Sequence, residues 1–130
     1  MTIKMSIHPD RKLAYFKLHG DTDVTEGANA FRDYVDHPEF DSGFVMLSNA
    51  GELGRVRASF TGIVMAVERL LPRMLSFRDM TLCIIYAPDD VPFGVARMIQ
   101  QLCEPVSRLR YQIVRTEEEA LRLAGQTARS

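Results

Sequence analysis

Four carboxylates come in two close pairs along this chain, Asp21 with Asp23 and Asp89 with Asp90, and two arginines, Arg55 and Arg57, lie between the pairs. Acids held beside a pocket can share general acid and base work when their surroundings pull their proton affinities apart. Each pair also stands where a helix could begin, and an acid there accepts hydrogen bonds from free backbone amides. Capping is the simpler role and accounts for both pairs. The histidines, His8, His19 and His37, are isolated, with no i, i+4 spacing to set two ligands on one helical face. Cys83 falls inside an apolar run and Cys103 near a helix end. Neither has a histidine close by in sequence to raise its thiolate character, so both read as small core residues. No Gly-x-Gly-x-x-Gly, Walker loop or Gly-x-Ser-x-Gly occurs, which leaves nucleotide and hydrolase chemistry without support. These residues imply no catalytic centre, no metal and no cofactor.

The bulk composition bounds the answer further. A chain of 130 residues with 46% apolar and 25% charged side chains suits one soluble globular domain. Sixteen Lys and Arg against seventeen Asp and Glu give a net charge of −1, which disfavours nucleic acid held by bulk charge. Two cysteines without Cys-x-x-Cys spacing make neither a disulfide framework nor a structural zinc site. The start Met1-Thr2-Ile3-Lys4-Met5 lacks the apolar core of a signal peptide, and no apolar run approaches the ~20 residues of a membrane span. The expectation is a cytoplasmic protein of bacterial type with reduced thiols, one domain over residues 1–125 and a flexible tail over 126–130.

The elements that must position these residues follow from periodicity. Ile3, Met5 and Ile7 alternate with polar residues as a half-buried strand does. Pro9 and Asp10 mark a turn, Leu13 to Leu18 a second strand, and Gly20 with Asp21 its end. Asp23 and Glu26 resemble a capping box opening a helix with Val24, Ala28, Phe31 and Val35 on its apolar face, stopped by Pro38. Phe44 to Leu47 is a short apolar strand. Val56, Phe60, Ile63, Val64, Val67 and Leu71 then follow i, i+4, i+7, i+8, i+11 and i+15, the strongest helical signal in the chain. Thr81 to Tyr86 reads as a central strand covered on both faces. A helix from Pro88-Asp89-Asp90 presents Val91, Val95, Met98, Ile99 and Leu102, with Gly94 permitting close approach to a neighbour, and ends at Pro105. Tyr111 to Val114 makes a last strand, and Thr116 with Glu119 caps a helix that Gly125 closes. The order β-β-α-β-α-β-α-β-α predicts a single-domain α/β fold, a mixed and mostly parallel sheet of about five strands flanked by helices. If the strands run parallel, Asp21, Asp23, Arg55, Arg57, Asp89 and Asp90 gather at one end of the sheet, where open α/β folds bind ligands.

The segment Leu70-Leu71-Pro72-Arg73-Met74-Leu75-Ser76-Phe77-Arg78 is the least ordinary. Leu70, Met74, Leu75 and Phe77 add an apolar cluster to a helix that already has its stripe, Pro72 kinks or restarts that helix, and Arg69, Arg73 and Arg78 punctuate it. Such a cluster fits a turn folded onto the core, a homodimer interface, the lid of an apolar pocket, or a peripheral membrane contact.

The stretch Ile85-Tyr86-Ala87-Pro88-Asp89-Asp90-Val91-Pro92-Phe93-Gly94-Val95-Ala96-Arg97-Met98, with the ending Thr116-Glu117-Glu118-Glu119-Ala120-Leu121 and the element order, resembles the SpoIIAA-like proteins of the STAS superfamily. The likeness runs from Ile7 to about Gly125. It implies a binding domain without catalysis, similar in fold to the CRAL-TRIO lipid carriers, and so a small apolar ligand with peripheral membrane contact. Contact residues on that reading are Phe60, Val64, Leu70, Met74, Leu75, Phe77, Phe93 and Met98, with Arg55, Arg57, Asp89 and Asp90 at loops and helix starts. The alternative it implies is a regulatory protein-interaction module working through residues 51–57, switched by a phosphorylated serine at the start of the helix after the third strand. Leu47-Ser48-Asn49-Ala50-Gly51-Glu52-Leu53-Gly54-Arg55-Val56 lacks the Asp-Ser pair of that switch, with Gly54 and Arg55 roughly in its place. Ser59 and Thr61 are expected within the helix, out of a kinase's reach.

Overall fold

The computed structural model describes residues 2–129, with side chains through residue 125. Its strands are β1 (Ile3–His8), β2 (Leu13–Asp23), β3 (Val45–Arg57), β4 (Thr81–Tyr86) and β5 (Leu109–Val114). Its helices are α1 (Val24–Val35), α2 (Phe60–Met74), α3 (Asp90–Cys103) and α4 (Glu117–Arg129). The sheet order is β1-β2-β3-β4-β5, with β1 antiparallel to β2 and every later pair parallel. This is the mixed, mostly parallel sheet expected from the sequence. Each crossover steps to the next strand in one direction, and right-handed crossovers of that kind place their helices on one side. Accordingly α1, α2 and α3 share one face of the sheet, and α4 returns across the other over Val45, Leu47, Ile84 and Val114.

Local chemistry fixes where the helices begin. The Asp23 carboxylate accepts from the Glu26 amide at 2.9 Å, capping α1. Glu26 does not complete the box; its carboxylate accepts from Thr2 at 2.7 Å and Thr22 at 3.3 Å, fastening the helix start to the chain's first residues. Ser59 caps α2 by accepting from the Gly62 amide at 3.0 Å, and Thr116 caps α4 through the Glu119 amide at 3.3 Å. Asp89 stands at the start of α3 without a side-chain cap bond. Capping therefore accounts for Asp23 alone among the four acids.

Several elements depart from the sequence expectation. Strand β2 continues through Gly20 to Asp23, because Gly20 takes φ +68° without steric cost. The short apolar strand expected at Phe44 to Leu47 is thirteen residues long. Val56 belongs to it rather than to the following helix, so the core face of α2 is rotated to Ile63, Ala66, Val67, Leu70 and Met74, leaving Phe60 exposed. On α3 the inward face is Pro92, Val95, Ala96, Ile99 and Cys103, with Val91 outside. Gly94 is exposed and brings no neighbour close. Helix α4 passes through Gly125 to Arg129; the tail expected at 126–130 falls on side chains outside the described residues.

The layer beneath the three helices is filled unevenly. Near the amino ends of the parallel strands an aromatic group is packed tightly: Tyr34 meets Phe16 edge-on at 5.7 Å and Phe40 at 4.9 Å, and Phe77 lies 5.4 Å from Phe40 and 5.8 Å from Phe31. The Tyr34 hydroxyl donates to the Asp41 carbonyl at 3.0 Å, and burial pushes its pKa up to about 12.

Glycines make opposite demands in this frame. A Cβ at Gly51 would stand 2.6 Å from the Tyr86 ring, whereas one at Gly94 meets nothing within 4 Å. Chemical denaturation should show Gly51→Val losing ~1–3 kcal/mol to overpacking, and Gly94→Ala gaining ~0.5–1 kcal/mol from its helix.

Candidate functional site

The other half of the interlayer is open. A cavity of ≈ 240 Å³ lies between the sheet and helices α1, α2 and α3, towards the carboxyl ends of the parallel strands. Small residues on every side create the space: Ser48 and Ala50 from β3, Gly27 and Ala28 from α1, Ala66 from α2 and Ala96 from α3. No large side chain reaches across, and a space of this size exceeds the ~150 Å³ of a dry cavity that accepts benzene.

Strand β3 shapes the outer wall. Beyond Asn49 it leaves β4 and runs on paired with β2 alone. Two register shifts each place an extra residue in β3, one where Lys17 and His19 face Asn49 and Glu52, the next where Gly20 and Thr22 face Leu53 and Val56. A bulge resets the two-residue alternation of a strand. The inward residues thus run Met46, Ser48, Ala50, then Leu53, then Val56, all on the cavity. Side-chain bonds hold both bulges. Asn49 accepts from the Gly51 amide and donates to the Tyr15 hydroxyl, each at 2.9 Å, and Asp21 accepts from the Arg55 amide at 2.9 Å. At Gly54 a Cβ would stand 2.8 Å from the same Asp21 oxygen.

The expected charges do gather at this end of the sheet, but as structural partners in separate groups. Arg57 lies 3.8 Å from Asp23, whose other oxygen caps α1. Asp90 pairs with Arg115 at 2.8 Å, and that guanidinium covers the Phe93 ring at 3.9 Å. Asp89 is exposed with no such partner among the described residues. Among the described residues Asp23 is the sole charged one on the cavity wall.

The apolar cluster expected around Leu70 to Phe77 is divided by the end of α2. Leu70 and Met74 face the cavity, and Phe77 is buried in the aromatic group. Leu75 points outward at 82% exposure, on the flank of α2 that also carries Phe60, Val64 and Leu71. Phe60, Val64, Phe93 and Met98 do not line the cavity. Arg73 is paired at 2.9 Å to Asp36, which follows the last turn of α1, and this guanidinium holds the Asp36 carboxyl below the usual range. Ser59 is exposed at the first turn of α2 rather than enclosed within the helix, because β3 runs on to Arg57.

Both thiols sit on the inner cavity wall, Cys83 with its sulfur 3.8 Å from that of Met46. Burial raises the pKa of each, keeping them protonated. Burial also holds the Tyr111 phenol, hydrogen-bonded to Cys103, well above the ordinary tyrosine value. No group of three or more His, Cys, Asp or Glu among the described residues could hold a metal, and no described helix is long and apolar enough to cross a membrane.

Sequence periodicity missed the residues that make the cavity. Gly27, Ser48, Ala50, Ala66 and Ala96 are small, and apolar-stripe counting ignores small residues. The glycines at 51 and 54 were the available signal for a bulged strand, in a stretch that otherwise reads as a loop.

No protein-family model matches the chain, and no curated protein matches it. Among solved structures it is similar to the crystal structure of an uncharacterised protein of the DUF3478 family with a SpoIIAA-like fold, from Shewanella loihica PV-4. That match has a TM-score of 0.53 at 15% identity and covers 94% of this chain and 91% of the other. With its hairpin-led five-stranded sheet and four helices, the chain has a SpoIIAA-like fold.

Proposed function

We propose that this protein is a binding domain, not an enzyme, and that it takes up a small apolar ligand between the sheet and helices α1 to α3. The observation that carries this reading is the ≈ 240 Å³ cavity and the nature of its wall, apolar apart from a few hydroxyls, two protonated thiols and one already paired carboxylate. An unfilled apolar space costs stability through lost packing contacts, which a ligand restores. The direct experiment is native mass spectrometry of freshly purified protein with solvent extraction. An apolar molecule near one per chain supports the reading; ligand-free chains that also take up no added apolar probe oppose it.

Gly27 provides a sharper test. It lies on the cavity lip, where a Cβ meets nothing within 4 Å. Gly27→Leu should raise stability by ~0.5–1 kcal/mol through helix propensity, while lowering affinity for an anilinonaphthalene probe at least tenfold. Unchanged probe affinity would place binding elsewhere.

One feature favours a second reading, a regulatory protein-interaction module. Ser59 is exposed at the start of α2, where a phosphate would meet free amides and the helix dipole. Ser59→Ala should cost ~1 kcal/mol of cap stability, and Ser59→Asp should restore it; incubation with the host cell's kinases, read by mass spectrometry, tests modification. A chain never modified at Ser59 counts against this module.

A further inference from the structure

The wall of the cavity is specific about what it can hold. Ser48 sits near the middle of the sheet, with Phe16 and Ile85 beside it on the neighbouring strands and Met46 and Ala50 either side along β3, all facing inward. Its hydroxyl has no hydrogen-bond partner among the described residues, whereas the other polar groups on the wall are engaged. Thr22 Oγ1 lies 3.1 Å from Thr2 Oγ1 and 3.3 Å from Glu26. Tyr111 bonds Cys103. Asp23 holds the α1 amide and faces Arg57.

We propose that the occupant is an uncharged molecule larger than benzene, with an apolar body and a single hydroxyl or carbonyl group that hydrogen-bonds Ser48 Oγ. This rests on the cavity reading above and adds the class of ligand. A serine hydroxyl both donates and accepts, so an alcohol and a ketone satisfy it equally. Among the described residues no cation lines the cavity, so a carboxylate drawn inside would shed its hydration for nothing in return. An ammonium would find only Asp23, whose charge is already met by a backbone amide and a guanidinium. A fully apolar guest would bind and leave the Ser48 hydroxyl unsatisfied, so a single polar group at that depth adds affinity.

The test is calorimetric titration of the whole chain with four probes: octan-1-ol, n-butylbenzene, octanoate and octylammonium. Octan-1-ol and n-butylbenzene should bind, and the two ions at least tenfold more weakly than octan-1-ol. Ser48→Ala, which removes one atom and breaks no existing side-chain bond, should weaken octan-1-ol about threefold to tenfold and leave n-butylbenzene unchanged or tighter. An alanine variant that weakens both probes alike, or neither, overturns the Ser48 anchor while the cavity reading stands. Octanoate binding more tightly than octan-1-ol overturns the uncharged class. If neither octan-1-ol nor n-butylbenzene binds, the cavity reading falls and this proposal with it.

Discussion

A parallel ladder whose strands follow one another in sequence order sends every crossover helix to the same side, and the rest of this architecture depends on that constraint. Three helices must cover one face of a five-stranded sheet, and the single remaining helix covers the middle of the other. The crowded face holds together wherever large side chains meet across the layer. Phe16, Phe31, Tyr34, Phe40 and Phe77 do this at the amino end of the parallel strands. At the carboxyl end small residues face small residues from all four walls, and close packing fails there.

The bulged extension of β3 turns that gap into a bounded space. Without the two extra residues, alternation past Ala50 would carry Leu53 to the outer face; with them, Leu53 and Val56 close the cavity's outer wall. The glycines and the side chains of Asn49 and Asp21 that stabilise the bulges serve packing rather than chemistry. The charges that converge at this end of the sheet have the same character. They tie α1 to β3 and α3 to the turn before α4, which fixes the rim of the cavity and leaves its wall uncharged but for Asp23.

The fold was legible in the sequence because its signals are local and redundant. Alternation in β1, the unbroken apolar run of β4 and the caps at Asp23 and Thr116 each declare an element in a few residues. The crossover rule then supplied a parallel sheet. The site was mostly illegible, for two physical reasons. A bulged strand with polar and glycine residues lacks the period of two, so β3 past Leu47 reads as a loop and Val56 falls in phase with the helix stripe. Cavities, moreover, are made by what is missing: Gly27, Ala66 and Ala96 matter through their small volume, while the large residues singled out from the sequence divide between the cavity wall, the filled core and the surface. Leu70 and Met74 are on the wall, Phe77 in the core and Leu75 in solvent.

Methyl-resolved NMR of the whole chain on titration with n-butylbenzene shows directly whether the cavity takes up an apolar molecule. Ile63, Val67, Leu70, Ile85, Val95 and Ile99 line the cavity, while Leu47, Ile84 and Val114 lie across the sheet under α4. Uptake into the cavity gives saturable shifts in the first group and little change in the second. Shifts confined to exposed residues such as Leu75, Val91 and Val106 would contradict it, since they would place the apolar ligand on the surface and leave the cavity without a binding role.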